Sequence, residues 1–304
     1  MKTMNNKLID GRRLQVPTLK IDTKIIDGKA IAENVKLEVK QHAQRFAAQY
    51  GRKPHIAMIV IGRNPASEIY VRNKNKDCED CDIDQTTYKL PDTTQERLES
   101  LIHELNATET VDAILVQMPL PKNLDAKAIQ NAIAWEKDAD GFGIENTGKL
   151  WSGITDATCA CTPNGIRHML HECVSLESLK GKHAVIVNRS NIVGKPMAAM
   201  LLDMDMTVTI CHSKTENIKT YTKTADLLIT AVGQPGFIKP EDIKPGAIVI
   251  DVSMNKDAHN KLCGDCEDLT GVAGYITPVP GGVGPMTRAM LMQNIISCAY
   301  KRLK

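Results

Sequence analysis

The feature that most constrains this chain is a series of short, almost uninterrupted apolar runs separated by helix-length amphipathic segments. The runs are His55–Ile61 (HIAMIVI), Val111–Met118, His183–Val187 (HAVIV), Thr207–Cys211, Asp226–Val232 and Ala247–Val252. A continuous apolar run of this length reads as a strand buried on both faces, as in parallel sheets covered by helices. Between the runs, apolar residues recur at helical spacing. Ile31, Val35, Val39, Ala43 and Phe46 form such a stripe, closed by Gly51 and Pro54. Helices are also predicted over 65–80, 94–105, 125–134, 163–172, 194–203 and 285–302, and a strand over 86–90. Thr162 is the expected N-cap of the helix beginning at Pro163. This alternation predicts α/β architecture with a mostly parallel sheet.

A length of 304 residues suggests about two domains. The stretch between Asp140 and Thr162 lacks a long apolar run and is the expected junction. Lys7-Leu8-Ile9-Asp10-Gly11 echoes Lys24-Ile25-Ile26-Asp27-Gly28, and only the second copy leads into an amphipathic helix. Residues 1–22 are therefore read as an extension. The balance of 38 Lys and Arg against 36 Asp and Glu argues against a polyelectrolyte-driven nucleic-acid binder. With aromatics at 4%, base-stacking platforms are also not expected. No apolar run reaches membrane-spanning length, so no membrane partner is expected. The first residues lack the apolar segment of a secretory signal. Nine cysteines, an odd number, then suit a reducing cytoplasm. Cys78/Cys81 and Cys263/Cys266 have the spacing of a four-thiolate zinc site, but they lie far apart in the chain and lack knuckle glycines or prolines. No metal is expected.

Three segments carry candidate chemistry. Tyr70 and Lys74 are four apart on one predicted helix, so they share a face. That helix follows the loop Gly62–Pro65 at the carboxyl end of the first buried strand, where α/β sheets bind ligands. Gln117 ends the next buried strand, and Asp140 stands in Asp138-Ala139-Asp140-Gly141-Phe142. A phenol, an amine, an amide and a carboxylate thus have access to one cleft. An ordinary solvated helix face and an Asp-Gly turn would also account for these residues.

The second segment, Asn188-Arg189-Ser190-Asn191-Ile192-Val193-Gly194, joins the strand HAVIV to a helix. Such a strand–turn–helix offers backbone N–H groups to phosphate, although it is not the G-x-G-x-x-G fingerprint. The next strand ends in Cys211-His212-Ser213-Lys214. Arg189, Ser213 and Lys214 suit a ribose 2′-phosphate better than a free hydroxyl, which points to NADP over NAD. The third segment, Thr277–Thr287, packs three prolines and three glycines into eleven residues. It has a fixed backbone path that either walls a cofactor site or connects domains.

Taken together, IDGKAIAENV, GRNPASEIYVRNKNKDC, ILVQMPLPKNLD, KDADGF, NRSNIVGKPMA and YITPVPGGVGPMTRAML resemble the methylenetetrahydrofolate dehydrogenase/cyclohydrolase family, in register from about Lys24 onward. The resemblance implies two domains, an N-terminal α/β folate domain and a Rossmann-like NADP-binding domain, with a cleft between them. It assigns 23–145 and the last helix, 286–304, to the folate domain and 146–285 to the nucleotide domain. It implies oxidation of 5,10-methylenetetrahydrofolate with NADP, NAD being the alternative acceptor, followed by hydrolysis to 10-formyltetrahydrofolate, and a homodimer. By position, Tyr70 matches the pterin-stacking tyrosine, Lys74 the catalytic lysine, Gln117 its partner and Asp140 the pterin-binding aspartate. Asn188, Arg189, Ser190, Val193, His212 and Ser213 fall on cofactor positions, and Pro278, Gly281 and Gly282 on the loop bordering folate and nicotinamide. Asn188 and Ser253 stand where the family usually has glycine. Asn188 is expected to preserve the turn by tolerating a left-handed backbone.

Overall fold

The computed structural model describes residues 21–62 and 65–303. The expected extension therefore lies outside the described residues except for Ile21 and Asp22, as do Arg63 and Asn64 of the first loop. The chain begins with β1 (Lys24–Ile25), α1 (Gly28–Tyr50), β2 (His55–Ile61), α2 (Pro65–Asp80), β3 (Asp84–Leu90), α3 (Gln95–Ala107), β4 (Ala113–Val116) and α4 (Ala126–Ala132). It continues with α5 (Ile144–Trp151), α6 (Cys161–Cys173), β5 (His183–Val187), α7 (Gly194–Asp203), β6 (Thr207–Cys211), α8 (Ile218–Thr222), β7 (Leu227–Thr230) and β8 (Ile248–Asp251). A hairpin of β9 (Asn255–Lys256) and β10 (Leu262–Cys263), then β11 (Tyr275–Ile276) and α9 (Val283–Lys301), complete the fold.

The strands form two parallel sheets of three and six strands, with orders β3-β2-β4 and β1-β11-β8-β7-β5-β6. Each central strand is buried between helix layers, which explains the unbroken apolar runs of β2 and β5. In the larger sheet the chain runs outward from β5 to β6 on one side and to β7 and β8 on the other. The crevice outside the carboxyl ends of β5 and β7 is thus a topological switch point, the position at which such sheets bind ligands. β1 pairs with β11. The first residues of the expected folate domain thereby form an edge of the larger sheet.

α1 forms because its buried stripe meets α9, with the Asp27 side chain accepting from Ala30 N at 3.0 Å and Gly51 closing the helix at φ +71°. α9 also packs along α6 and touches α2, β2 and β4. Its buried Asn294 amide donates to Ala139 O at 2.9 Å and to Cys159 O at 3.0 Å. One side chain thus binds the residue preceding Asp140 and the lead into α6. One expectation changes in this region, and α5 falls within the expected junction. Thr162 does not cap α6: Ala160 holds the N-cap position, and the Thr162 hydroxyl instead meets that of Thr287 at 2.9 Å. No helix of the described residues is long and apolar enough to cross a membrane.

Candidate active site

Tyr70 and Lys74 project from α2 near the carboxyl edge of the small sheet. Tyr70 is 49% exposed, leaving a ring face available to a planar ligand. Lys74 Nζ donates to Gln117 Oε1 at 3.0 Å, and Gln117 Nε2 donates to Met118 O at 2.7 Å. Gln117 N continues the ladder beyond β4 by donating to Ile59 O at 2.8 Å. The strand register therefore places the glutamine, and the glutamine holds the lysine.

Asp140 completes this cluster. Desolvation raises its carboxyl pKa to about 6, with Lys74 opposing the rise and Asp138 adding to it. Asp138, which the sequence reading passed over, shapes the turn. It is buried and accepts from Gly141 N and Gly143 N, both at 2.9 Å, and from the Asn146 amide at 3.1 Å. Gly141 sits at φ +67°, where an added Cβ would lie 2.4 Å from Thr158 O, so the bend requires glycine.

The second cluster lies at the switch point. Asn188 is absent from the residues with positive φ, so the expected backbone reason for it does not hold. Its side chain acts instead: Nδ2 donates to Ala231 O at 2.7 Å, while Oδ1 accepts from Ser190 N at 2.8 Å and Gly194 N at 3.1 Å. The amide ties the turn after β5 to the loop after β7. Ser190 Oγ accepts from Val193 N at 3.1 Å. Gly194 lets α7 begin against this turn, since a Cβ there would lie 2.1 Å from Asn188 O. Val187 pairs with Cys211, so the turns after β5 and β6 emerge side by side. Arg189, Ser213 and Lys214 are exposed there, and His212 Nδ1 accepts from Lys214 N at 3.2 Å. A helix N-terminus without a side-chain cap, a glycine cradle and neighbouring cations fit a phosphorylated dinucleotide.

The third segment lies against the start of α1. Gly281 sits at φ +107° and its carbonyl accepts from Lys29 N at 2.9 Å. A Cβ on Gly282 would lie 2.6 Å from Pro278 O, so the loop is closed tightly on itself. The CxxC pairs fall in different cores. Cys78 and Cys81 lie in the one around α1 and α9, whereas Cys266 packs on the opposite face of the large sheet. Among the described residues, no group of three or more His, Cys, Asp or Glu stands together to hold a metal.

Two parallel α/β sheets, a dinucleotide turn at the switch point of one and a Tyr/Lys/Gln/Asp cluster at the edge of the other define a two-domain nucleotide-dependent α/β enzyme. Family profiles agree. Residues 26–140 match the catalytic domain of tetrahydrofolate dehydrogenase/cyclohydrolase, and residues 160–303 match its NAD(P)-binding domain. The chain belongs to the tetrahydrofolate dehydrogenase/cyclohydrolase family. It is 47% identical to the bifunctional protein FolD of Streptococcus agalactiae over 283 residues, 92% of this chain and 98% of the relative. The crystal structure of the FolD methylenetetrahydrofolate dehydrogenase/cyclohydrolase of Campylobacter jejuni superposes with a TM-score of 0.89 at 42% identity, covering 92% and 99% of the two chains. That of Trypanosoma brucei FolD, complexed with NADP cofactor and inhibitor, superposes with a TM-score of 0.86 at 34% identity, covering 93% and 99%.

The raised Asp140 pKa has a consequence for stability. The folded state holds this proton more tightly than the unfolded chain, so stability falls as pH rises from about 4 to about 6. Asp140→Asn is expected to be more stable than the parent at pH 7–8, by on the order of 1–3 kcal/mol. That gain should fade as pH is lowered to about 4. Urea unfolding at several pH values measures it, and a pH-independent difference would contradict the assignment.

Proposed function

We propose that Lys74, Gln117 and Asp140 are the catalytic residues of the folate site, with Tyr70 as the pterin platform and Pro278, Gly281 and Gly282 as the wall of the cleft. The observation that carries this reading is the 3.0 Å bond from Lys74 Nζ to Gln117 Oε1, which fixes an amine at the edge where the ligand would lie. NADP, the proposed acceptor, removes a hydride from the methylene carbon. That step asks of the protein mainly that two rings be held in register, a task for Tyr70 and the loop. Hydrolysis asks more. A water must add to the electrophilic carbon of the methenyl ring, and Lys74 takes its proton in this reading. The remaining hydroxyl proton passes to the pterin nitrogen as the ring C–N bond opens, leaving the formyl group. Asp140 holds the pterin ring by hydrogen bonding.

Arg189, Ser190 and Ser213 hold the ribose phosphate, and Asn188, Val193 and His212 shape their turns. The proposed folate domain comprises residues 23–145 with the last helix, 286–304, and the nucleotide domain residues 146–285. A homodimer in the cytoplasm is part of the same reading.

Two substitutions test these roles. Lys74→Met is expected to lower cyclohydrolase turnover by about 10²–10⁴-fold, measured on added methenyltetrahydrofolate. Full retention would remove Lys74 from the mechanism. Arg189→Ala is expected to lower kcat/KM for NADP by about 10–100-fold, the worth of one charge-assisted phosphate contact, while leaving that for NAD nearly unchanged. Equal losses with both nucleotides would contradict the 2′-phosphate role.

A further inference from the structure

Between Cys263 and Cys266 lies an aspartate, Asp265, outside the catalytic and cofactor residues of the proposed site. Asp265 is fully buried, and no lysine, arginine or histidine pairs with it among the described residues. Its carboxylate is met by neutral donors alone. Oδ1 accepts from Gly233 N at 2.9 Å, Gln234 N at 2.8 Å and Asn255 Nδ2 at 3.0 Å. Oδ2 accepts from Val232 N at 2.7 Å, Thr230 Oγ1 at 2.9 Å and Ser253 Oγ at 2.8 Å. Six donors on one carboxylate exceed its usual four lone-pair sites. Desolvation pushes its pKa up, but the hydrogen bonds outweigh burial and the net direction is downward, so the group is held ionised.

The donors share a location. Thr230 ends β7, and Val232, Gly233 and Gln234 are successive residues of the loop that follows it. Ser253 and Asn255 follow β8, the neighbouring strand. All lie at the carboxyl edge beside the switch point. The loop after β7 is one wall of that crevice, and Asn188 of the opposite wall already reaches it through Ala231 O. Three consecutive N–H groups drawn toward one buried anion can take up few other conformations. Gly233 at φ +82° and its further bond to Ser253 Oγ at 3.1 Å fit the same arrangement. The β9–β10 hairpin brings Asp265 there. Its Gly264 passes so close to Asp251 that a Cβ would lie 2.1 Å from Oδ2, and Asp251 Oδ2 also accepts from Cys266 N at 2.8 Å.

We infer that Asp265 is a positioning residue for the dinucleotide: from behind the sheet edge it fixes the backbone of Ala231–Gln234 as the cofactor-facing wall. Ser253, standing where the family usually has glycine, is part of this device and supplies a hydroxyl to both Asp265 and Gly233. The inference rests on the reading of the switch point as the NADP site, and it assigns Asp265 to one of the two reactions only. Ring hydrolysis uses no dinucleotide and takes place at the edge of the other sheet.

The test uses that separation. Asp265→Asn turns one of the two acceptor oxygens into a donor facing three donors. It is expected to raise the Kd and KM for NADP by about 10–100-fold, with the KM for methylenetetrahydrofolate little changed. Cyclohydrolase turnover, assayed on methenyltetrahydrofolate without nucleotide, should stay close to that of the parent. Ser253→Ala, which removes one donor without adding another, should shift the NADP constants in the same direction by a few-fold, and it carries the test if Asp265→Asn does not fold. A parallel fall in both activities would make Asp265 merely structural, and unchanged NADP constants in both variants would overturn the inference. If the parent enzyme itself failed to use NADP, the reading of the switch point would fail first.

Discussion

The functional architecture depends on how α9 is held between α1 and α6. Its Asn294 amide lies buried where the segment carrying Asp140 meets the entry to α6, and it donates to a carbonyl on each side. An amide left without those acceptors inside a core would cost about 1–3 kcal/mol, so the arrangement specifies one relative placement of the two segments. The end of the small sheet and the start of the second half of the chain are thereby fixed to the same helix. The Pro278–Gly282 loop leads directly into α9 and reaches the first turn of α1 through Lys29. Two separate clusters, each ordinary by itself, are thus parts of one molecule with a defined relation.

The two clusters use the same physical device in different forms. Buried or half-buried acidic and amide side chains, held by backbone N–H groups, shape the turns on which the exposed candidate groups stand. Asp138 does this for the bend holding Asp140, Asn188 for the turn holding Arg189 and Ser190, and Asp265 for the loop after β7. Directional bonds to a group inside the core hold a turn more rigidly than solvent-facing bonds would, because water cannot compete for them. The exposed residues Tyr70, Arg189 and Ser213 are then free to meet ligands.

The sequence was most informative where burial is periodic. β2, β5, β6, α2 and α7 fall on the expected residues, because a strand buried on both faces or a one-sided helix imposes its pattern on every residue. It was less informative where single polar atoms decide. Asp138, Asn294 and Asp265 have no periodic signature, and Asp265 lay hidden inside a spacing that drew attention to its flanking cysteines. β1 joins the far sheet through pairing with β11, a contact that local pattern does not encode. Asn188 acts through its side chain and not through its backbone, a distinction that residue type alone does not make. Lys74 and Gln117 are legible as candidates because the helix after β2 and the residue after β4 both lie next to a carboxyl edge, where topology confines ligands.

The most direct measurement follows both products in one reaction of the unaltered chain with 5,10-methylenetetrahydrofolate, with NADP and NAD in parallel. The account predicts nucleotide reduction accompanied by 10-formyltetrahydrofolate, faster with NADP. Methenyltetrahydrofolate accumulating with no formyl product would contradict the role given to Lys74 and Gln117, and faster turnover with NAD would contradict that given to Arg189 and its neighbours.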